Sequence, residues 1–194
     1  MSTTDASTTP SILDWTIKYT DGPIPIPNLQ FNMKGAKTIG ADAGGKSIYK
    51  YNANLQTGGD GVITINNLEW DKYNITINSA NTGLNISEVC STQPRSISPA
   101  STITTDLLLV PLSTNSLLVA VTDTSGTLLQ NALVRLYKTN YDTSQNTSAC
   151  GQTFFGSLTT STSYSLDVSL SGYASTTISN IDVSGASGIT VVLE

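Results

Sequence analysis

Towards the C-terminus, apolar side chains return at every second position, the spacing of a strand with one face in a core. SLLVAV (Ser116–Val121) predicts a first strand, TDTSGTLLQN a turn-rich connection, and ALVRLYK a second strand. QTFFGSL holds a short third strand, and YSLDVSL a fourth with Tyr164, Leu166, Val168 and Leu170 on one face. STTISNIDV and GITVVLE follow Gly172-Tyr173 and complete the set. About six or seven short strands, with turns roughly every 8–12 residues, predict a β-sandwich. Gly, Asn and β-branched residues interrupt every window that could be helical.

The same rhythm occurs earlier. TGGDGVITINNLEWDKYNITI (Thr57–Ile77) aligns with TSACGQTFFGSLTTSTSYSLDV (Thr147–Val168). Thr57 falls on Thr147, Gly61 on Gly151, Ile65 on Phe155 and Leu68 on Leu158. One extra residue in the later copy then brings Tyr73 onto Tyr164, Ile75 onto Leu166 and Ile77 onto Val168. Upstream, Asn28, Leu29, Phe31 and Met33 fall on Asn131, Ala132, Val134 and Leu136. Trp15, Ile17 and Tyr19 supply a first strand as Leu118, Ala120 and Thr122 do. An internal repeat of this length predicts an all-β chain of two tandem immunoglobulin-like sandwich domains. The expected division is a flexible Ser/Thr-rich tail over 1–10, a first domain over 11–113 and a second over 114–194, with PLSTN as hinge.

Composition narrows the role. Of 194 residues 38% are hydrophobic and 12% charged, which permits a packed core. The net charge of −5 argues against nucleic acid, whose phosphates call for clustered Lys and Arg. The longest apolar run, LLLVPL, suits one buried strand and is far short of the roughly 20 residues of a membrane span. MSTTDASTTP has neither the basic nor the apolar region of a secretory signal, so none is expected there.

Candidate chemistry is sparse. No histidine is present, which excludes Ser-His-Asp and Cys-His catalysis and removes the commonest metal ligand. Cys90 and Cys150 read either as a disulfide or as two buried thiols. A disulfide would close a loop of about 60 residues and stabilise by about 4 kcal/mol in the chain-entropy model. Asp60, Glu69, Asp71 and Glu88 lack the spacing of a paired-carboxylate site. GGDG lacks the Lys and helix of a phosphate loop and reads as a turn. No metal and no cofactor is expected. Asn74, Asn85 and Asn146 begin N-x-S/T sequons that a chain so rich in Asn, Ser and Thr produces by chance. Between Leu158 and Tyr164, and between Leu68 and Tyr73, the spacing fits either a tyrosine corner or an ordinary core tyrosine. Trp70, flanked by Glu69 and Asp71, reads either as a lid on the sandwich or as an exposed platform for a sugar or protein.

The run of first strand, D-x-x-G turn, N-A-x-V-x-L, T-x-x-x-G-x-x-x-F, Leu, Tyr-x-Leu-x-Val and Gly-Tyr resembles the carboxypeptidase regulatory-like domain. That resemblance implies a transthyretin-like sandwich, related in shape to the B repeats of Gram-positive adhesins. It covers Ser116–Glu194 fully and about Ile12–Leu112 loosely, where Asp71 replaces the usual Gly before the Tyr. KTIG, IYKY, NLEWDKY, CGQTFF and SGY together also look like ectodomains of bacterial prepilin-type surface proteins. B repeats often carry a Lys–Asn or Lys–Asp isopeptide bond. Lys18, alternating with Ile17 and Tyr19, is expected to face solvent, and the second copy's first strand has no Lys.

The expected role is therefore non-enzymatic: a structural or adhesive protein of the bacterial cell surface, pilin-like or a filament subunit. It would be extracellular and partnered by proteins or by copies of itself. The alternative is a carbohydrate- or protein-binding module using Trp70, Trp15 and loop tyrosines. A third reading is an accessory domain of a larger enzyme.

Overall fold

The computed structural model describes the backbone of Ser11–Tyr19 and of residues 22–194, and side chains from residue 24 onward. The tail over 1–10 and the expected orientations of Trp15 and Lys18 lie outside the described residues. The chain is all-β, with one four-residue helix, α1 (Ser79–Thr82), among the described residues. No helix among them is long and apolar enough to cross a membrane.

Two compact units are present: the residues up to Gly83 together with Gln93–Leu109, and Leu84–Thr92 together with Val110–Glu194. The first contains β1 (Ser11–Tyr19), β2 (Gly22–Pro25), β3 (Gln30–Gly35), β4 (Thr38–Ala41), β5 (Ser47–Tyr49) and β6 (Asn52–Gln56). β7 (Val62–Ile65) and β8 (Asp71–Thr76) follow. β9 (Leu84–Val89) belongs to the second unit, and the chain then returns to the first for β10 (Arg95–Ile97) and most of β11 (Ile103–Pro111).

In the first unit β1 lies parallel to β11 and antiparallel to β2 and β7. The opposing sheet runs β10–β8–β3–β6. Alternate residues of these strands are buried: Phe31 and Met33 on β3, Tyr73 and Ile75 on β8, Leu107 and Leu109 on β11. β4 and β5 form a separate two-stranded hairpin inserted between β3 and β6.

The second unit is a β-sandwich. One sheet is β15 (Gln152–Phe155), β12 (Ser116–Asp123) and β18 (Ala186–Leu193). The other is β14 (Tyr141–Asn146), β13 (Leu133–Lys138), β16 (Ser161–Ser169) and β17 (Thr176–Val183). Both contribute to one core, which holds Leu117, Val119 and Val121, Val134 and Leu136, Tyr164, Leu166 and Val168, and Val191 and Leu193. Burial of such side chains contributes about 1.5–3 kcal/mol each before conformational entropy is set against it.

Three elements differ from the sequence reading. YDTSQN is strand β14, an edge strand that follows a tight turn at Thr139-Asn140, with Asn140 at φ 62°. Its alternate residues are only half-buried, so no apolar period marks it. The β4–β5 hairpin was likewise not anticipated.

The third difference is that Leu84–Thr92, expected in the first domain, groups with the second unit. The Val89 N–H donates to Gln152 Oε1 at 2.6 Å, and Gln152 Nε2 donates to the Ser91 carbonyl at 3.3 Å. Between those two bonds, Cys90 is joined covalently to Cys150. Ser148 Oγ also donates to Glu88 Oε2 at 2.7 Å. These attachments fasten the segment to β15 and to the turn before it.

Candidate functional site

The turns before β7 and before β15 are built alike. Buried Thr57 donates its hydroxyl to the Ile26 carbonyl and accepts from the Leu29 N–H, both at 2.9 Å. Thr147 donates to Leu129 at 2.6 Å and accepts from Ala132 at 2.9 Å. Gly61 and Gly151 follow at φ 77° and 63°, the left-handed region where a side chain is costly. A Cβ on Gly151 would lie 2.6 Å from Leu128 Cβ, and one on Gly61 would lie 2.8 Å from Pro25 Cβ. GGDG is thus a turn, with Asp60 Oδ1 accepting from the Val62 N–H at 3.0 Å.

After that turn each unit reaches a buried tyrosine. Tyr73 Oη donates to the Glu69 carbonyl at 2.8 Å, four residues back. Tyr164 Oη accepts from the Thr159 N–H and donates to the Thr159 carbonyl, both at 3.2 Å, five residues back. Each ring meets a second tyrosine edge to face: Tyr51 against Tyr73 at 5.4 Å, Tyr141 against Tyr164 at 5.6 Å. Burial, then the negative Asp71 and Glu69, push the Tyr73 phenol up to about 12. Burial also raises Tyr51.

Trp70 is 53% exposed. Its neighbours come from the stems of the β4–β5 hairpin. Lys37 Nζ sits 3.2 Å from the Trp70 ring centroid, donates to the Trp70 carbonyl at 2.6 Å and pairs with Glu69 Oε1 at 2.9 Å. Lys50 pairs with Glu69 Oε2. Hydrogen bonds from Lys50 and then Lys37 hold the Glu69 carboxyl below the usual range.

Asp71 accepts from the backbone N–H of Lys37 at 3.0 Å and of Lys72 at 2.7 Å. Gly35 leaves room for that carboxylate, because a Cβ there would lie 2.5 Å from Asp71 Oδ2. Glu69, Trp70 and Asp71 are therefore together, and both acids are engaged inside the unit. Glu69 holds no proton near neutrality and is placed to brace the hairpin stems. Lys37 and Lys50 were not singled out in the sequence, although KTIG and IYKY carry them.

Cys90 and Cys150 form a disulfide, with Cα atoms 4.6 Å apart. This decides between the two readings of the pair. A Glu88 oxygen lies within 4.8 Å of both sulfurs, but sulfurs bonded to one another present no thiolate to a metal.

The second unit has its own charged cluster on the outer face of β13, β14 and β16. Arg135 donates to Asp142 at 2.8 and 2.6 Å and to Asp167 at 3.4 Å, and lies 4.5 Å from the Tyr137 ring centroid. The guanidinium holds Asp142 below the usual carboxylate range.

No family model matches the chain, and no curated protein matches it. Solved structures that match include the shaft pilin SpaA of Lactobacillus rhamnosus GG, at 12% identity and a TM-score of 0.40, covering 97% of this chain and 98% of that one. The minor pilin GBS52 of Streptococcus agalactiae matches at 14% identity and 0.37, covering 95% and 94%. The Bacillus anthracis TIE protein matches at 14% identity and 0.39, covering 96% of this chain and 34% of that one. The chain thus spans about a third of the TIE protein's length. At these values the backbones coincide only loosely.

Proposed function

We propose that this chain is a non-enzymatic structural protein of the bacterial cell surface, built from two tandem transthyretin-like sandwich domains and partnered by other proteins or by further copies of itself. The observation that carries this reading is the Cys90–Cys150 disulfide, which brackets 60 positions of sequence. Such bonds form and persist in oxidising compartments, outside the cytosol. It is reinforced by Gln152 and Ser148, so covalent and polar contacts fasten the same segment. The matching Thr–Gly turns and buried tyrosines support a common plan for the two domains. Both acids beside Trp70 serve as internal braces, which favours scaffold over catalysis. Electron microscopy of the native assembly tests the reading: surface-attached, regularly spaced subunits are expected. Dispersed monomers at high concentration would remove the filament form.

A binding module centred on Trp70 is the second reading, favoured by the exposure of that ring. Lys37 already occupies one of its faces, which leaves a single face for a sugar or a protein.

A further inference from the structure

We propose that the outer face of β3, β6 and β8 in the first unit binds a neutral oligosaccharide. A cleft of about 870 Å³ opens there. Gln30, Asn32, Asn54, Gln56, Thr76 and Asn81 are among the residues that line it, and none of its lining residues is charged. An uncharged lining of amides and hydroxyls suits a ligand rich in hydroxyl groups and without net charge. Each sugar hydroxyl donates and accepts, and so does each side-chain amide.

The amides are already organised. Asn32 Nδ2 donates to Asn52 Oδ1 and to Asn54 Oδ1, both at 2.9 Å. Of the two bonded partners Asn54 lines the cleft with Asn32, and with its oxygen engaged by Asn32 its side-chain amide N–H groups can act as donors. Gln56 Nε2 donates to Asn28 Oδ1 at 3.2 Å, which leaves the Gln56 oxygen as an acceptor. Fixing donors and acceptors before a ligand arrives lowers the entropy cost of binding. The cleft lies across a sheet face, whereas an extended peptide docks at an open strand edge. This favours the sugar.

The second unit supplies an independent comparison. Asn32 pairs across the ladders with Asn54 and Thr76, as Arg135 pairs with Ser144 and Asp167. By the same register Asn52 stands where Asp142 stands in the other sheet. Where the second unit carries the ion pairs of Arg135 with Asp142 and Asp167, the first carries Asn32, Asn52 and Thr76, and Asn32 and Thr76 line the cleft. The same backbone positions thus hold an ion-pair latch in one unit and a neutral amide cleft in the other.

This inference goes beyond the structural reading and does not depend on it. The test is an array of neutral hexose and N-acetylhexosamine oligosaccharides, with sialylated and sulfated ones alongside, probed with the full chain. Hits are then titrated by calorimetry. Binding to a neutral oligosaccharide is expected. It should weaken about tenfold in Asn54→Ala and in Gln56→Ala, the loss of one or two hydrogen bonds.

The triple variant Asn32→Arg/Asn52→Asp/Thr76→Asp, which installs the other unit's latch, should abolish binding while unfolding at a similar temperature. Trp70→Ala should leave binding unchanged. No neutral oligosaccharide bound at millimolar concentration would overturn the proposal. So would binding confined to anionic glycans, full binding by the Asn54 and Gln56 variants, or loss of binding in Trp70→Ala.

Discussion

The hydroxyl of Tyr73 donates to the backbone carbonyl of Glu69 across 2.8 Å, tying a strand of the core to the connection that carries Trp70. A buried hydrogen bond of this kind contributes about 1 kcal/mol net. Tyr73→Phe should lower the unfolding free energy by about that amount, and Tyr164→Phe by a similar one. Urea denaturation checks both, with unchanged slopes expected because the rings still pack.

The same tyrosine predicts an alkaline transition. Its phenol titrates near 12 when folded, raised first by burial and then by Asp71 and Glu69, from an ordinary value of 10.0. The stability linked to the raised value is fully present below about pH 10 and is lost as pH climbs through about 12. Titration at 295 nm should show a late-ionising component to which Tyr73 contributes, together with Tyr51, which burial also raises. In Tyr73→Phe the part of that component near pH 12 and the matching loss of stability should both vanish.

Glu69 gives the opposite sign. Its carboxyl is depressed by Lys50 and Lys37, so its ion pairs contribute above the ordinary glutamate value of about 4.3 and fade as pH falls through the lower folded value. Thermal unfolding from pH 7 to pH 2 should show this acid limb shallower in Glu69→Gln. Equal limbs would remove Glu69 from the account.

Gly61 and Gly151 should resist substitution. Their positive φ and the short distances awaiting a Cβ combine a conformational cost of about 1–2 kcal/mol with a steric one. Gly151→Ala and Gly61→Ala should each destabilise by about 2 kcal/mol or more, whereas Gly126→Ala, with open space around its Cβ, should show the conformational cost alone. Unfolding midpoints in guanidinium separate the cases.

Reduction of the disulfide, or Cys90→Ser with Cys150→Ser, should cost about 4 kcal/mol for a bridge spanning 60 positions. Hydrogen exchange should show the loss concentrated in β9 and β15, where Gln152 would still bond to Val89 and Ser91 and Ser148 to Glu88.

Much of this fold was legible in the chain because period-2 alternation translates directly into burial. Val134, Leu136, Tyr164, Leu166 and Val168 are all core, whereas in β12 the core residues are Leu117, Val119 and Val121 and the aligned Leu118 and Ala120 are only half-buried. The one-residue offset in the aligned stretches reappears in the structure as four residues between Tyr73 and Glu69 against five between Tyr164 and Thr159. What escaped has a physical reason. KTIGADAGGKSIY folds into a hairpin whose residues are almost all exposed, so it buries no periodic face.

The fastening of Val89 and Ser91 by Gln152 depends on one side chain 63 and 61 positions away, and it leaves no periodic trace. The amide cleft was equally invisible. Asn32, Asn54 and Gln56 are outward positions of ordinary strands, and only the cross-strand register makes them neighbours. Trp70 was legible as a candidate, but its lysine cap comes from the unanticipated hairpin.

The most direct test of the surface reading is to shave intact native cells with protease and map the released peptides without reduction. Peptides of this chain are expected in the shaved fraction, with Cys90 cross-linked to Cys150. Protein recovered only after lysis, with both thiols free to alkylate, would contradict that reading.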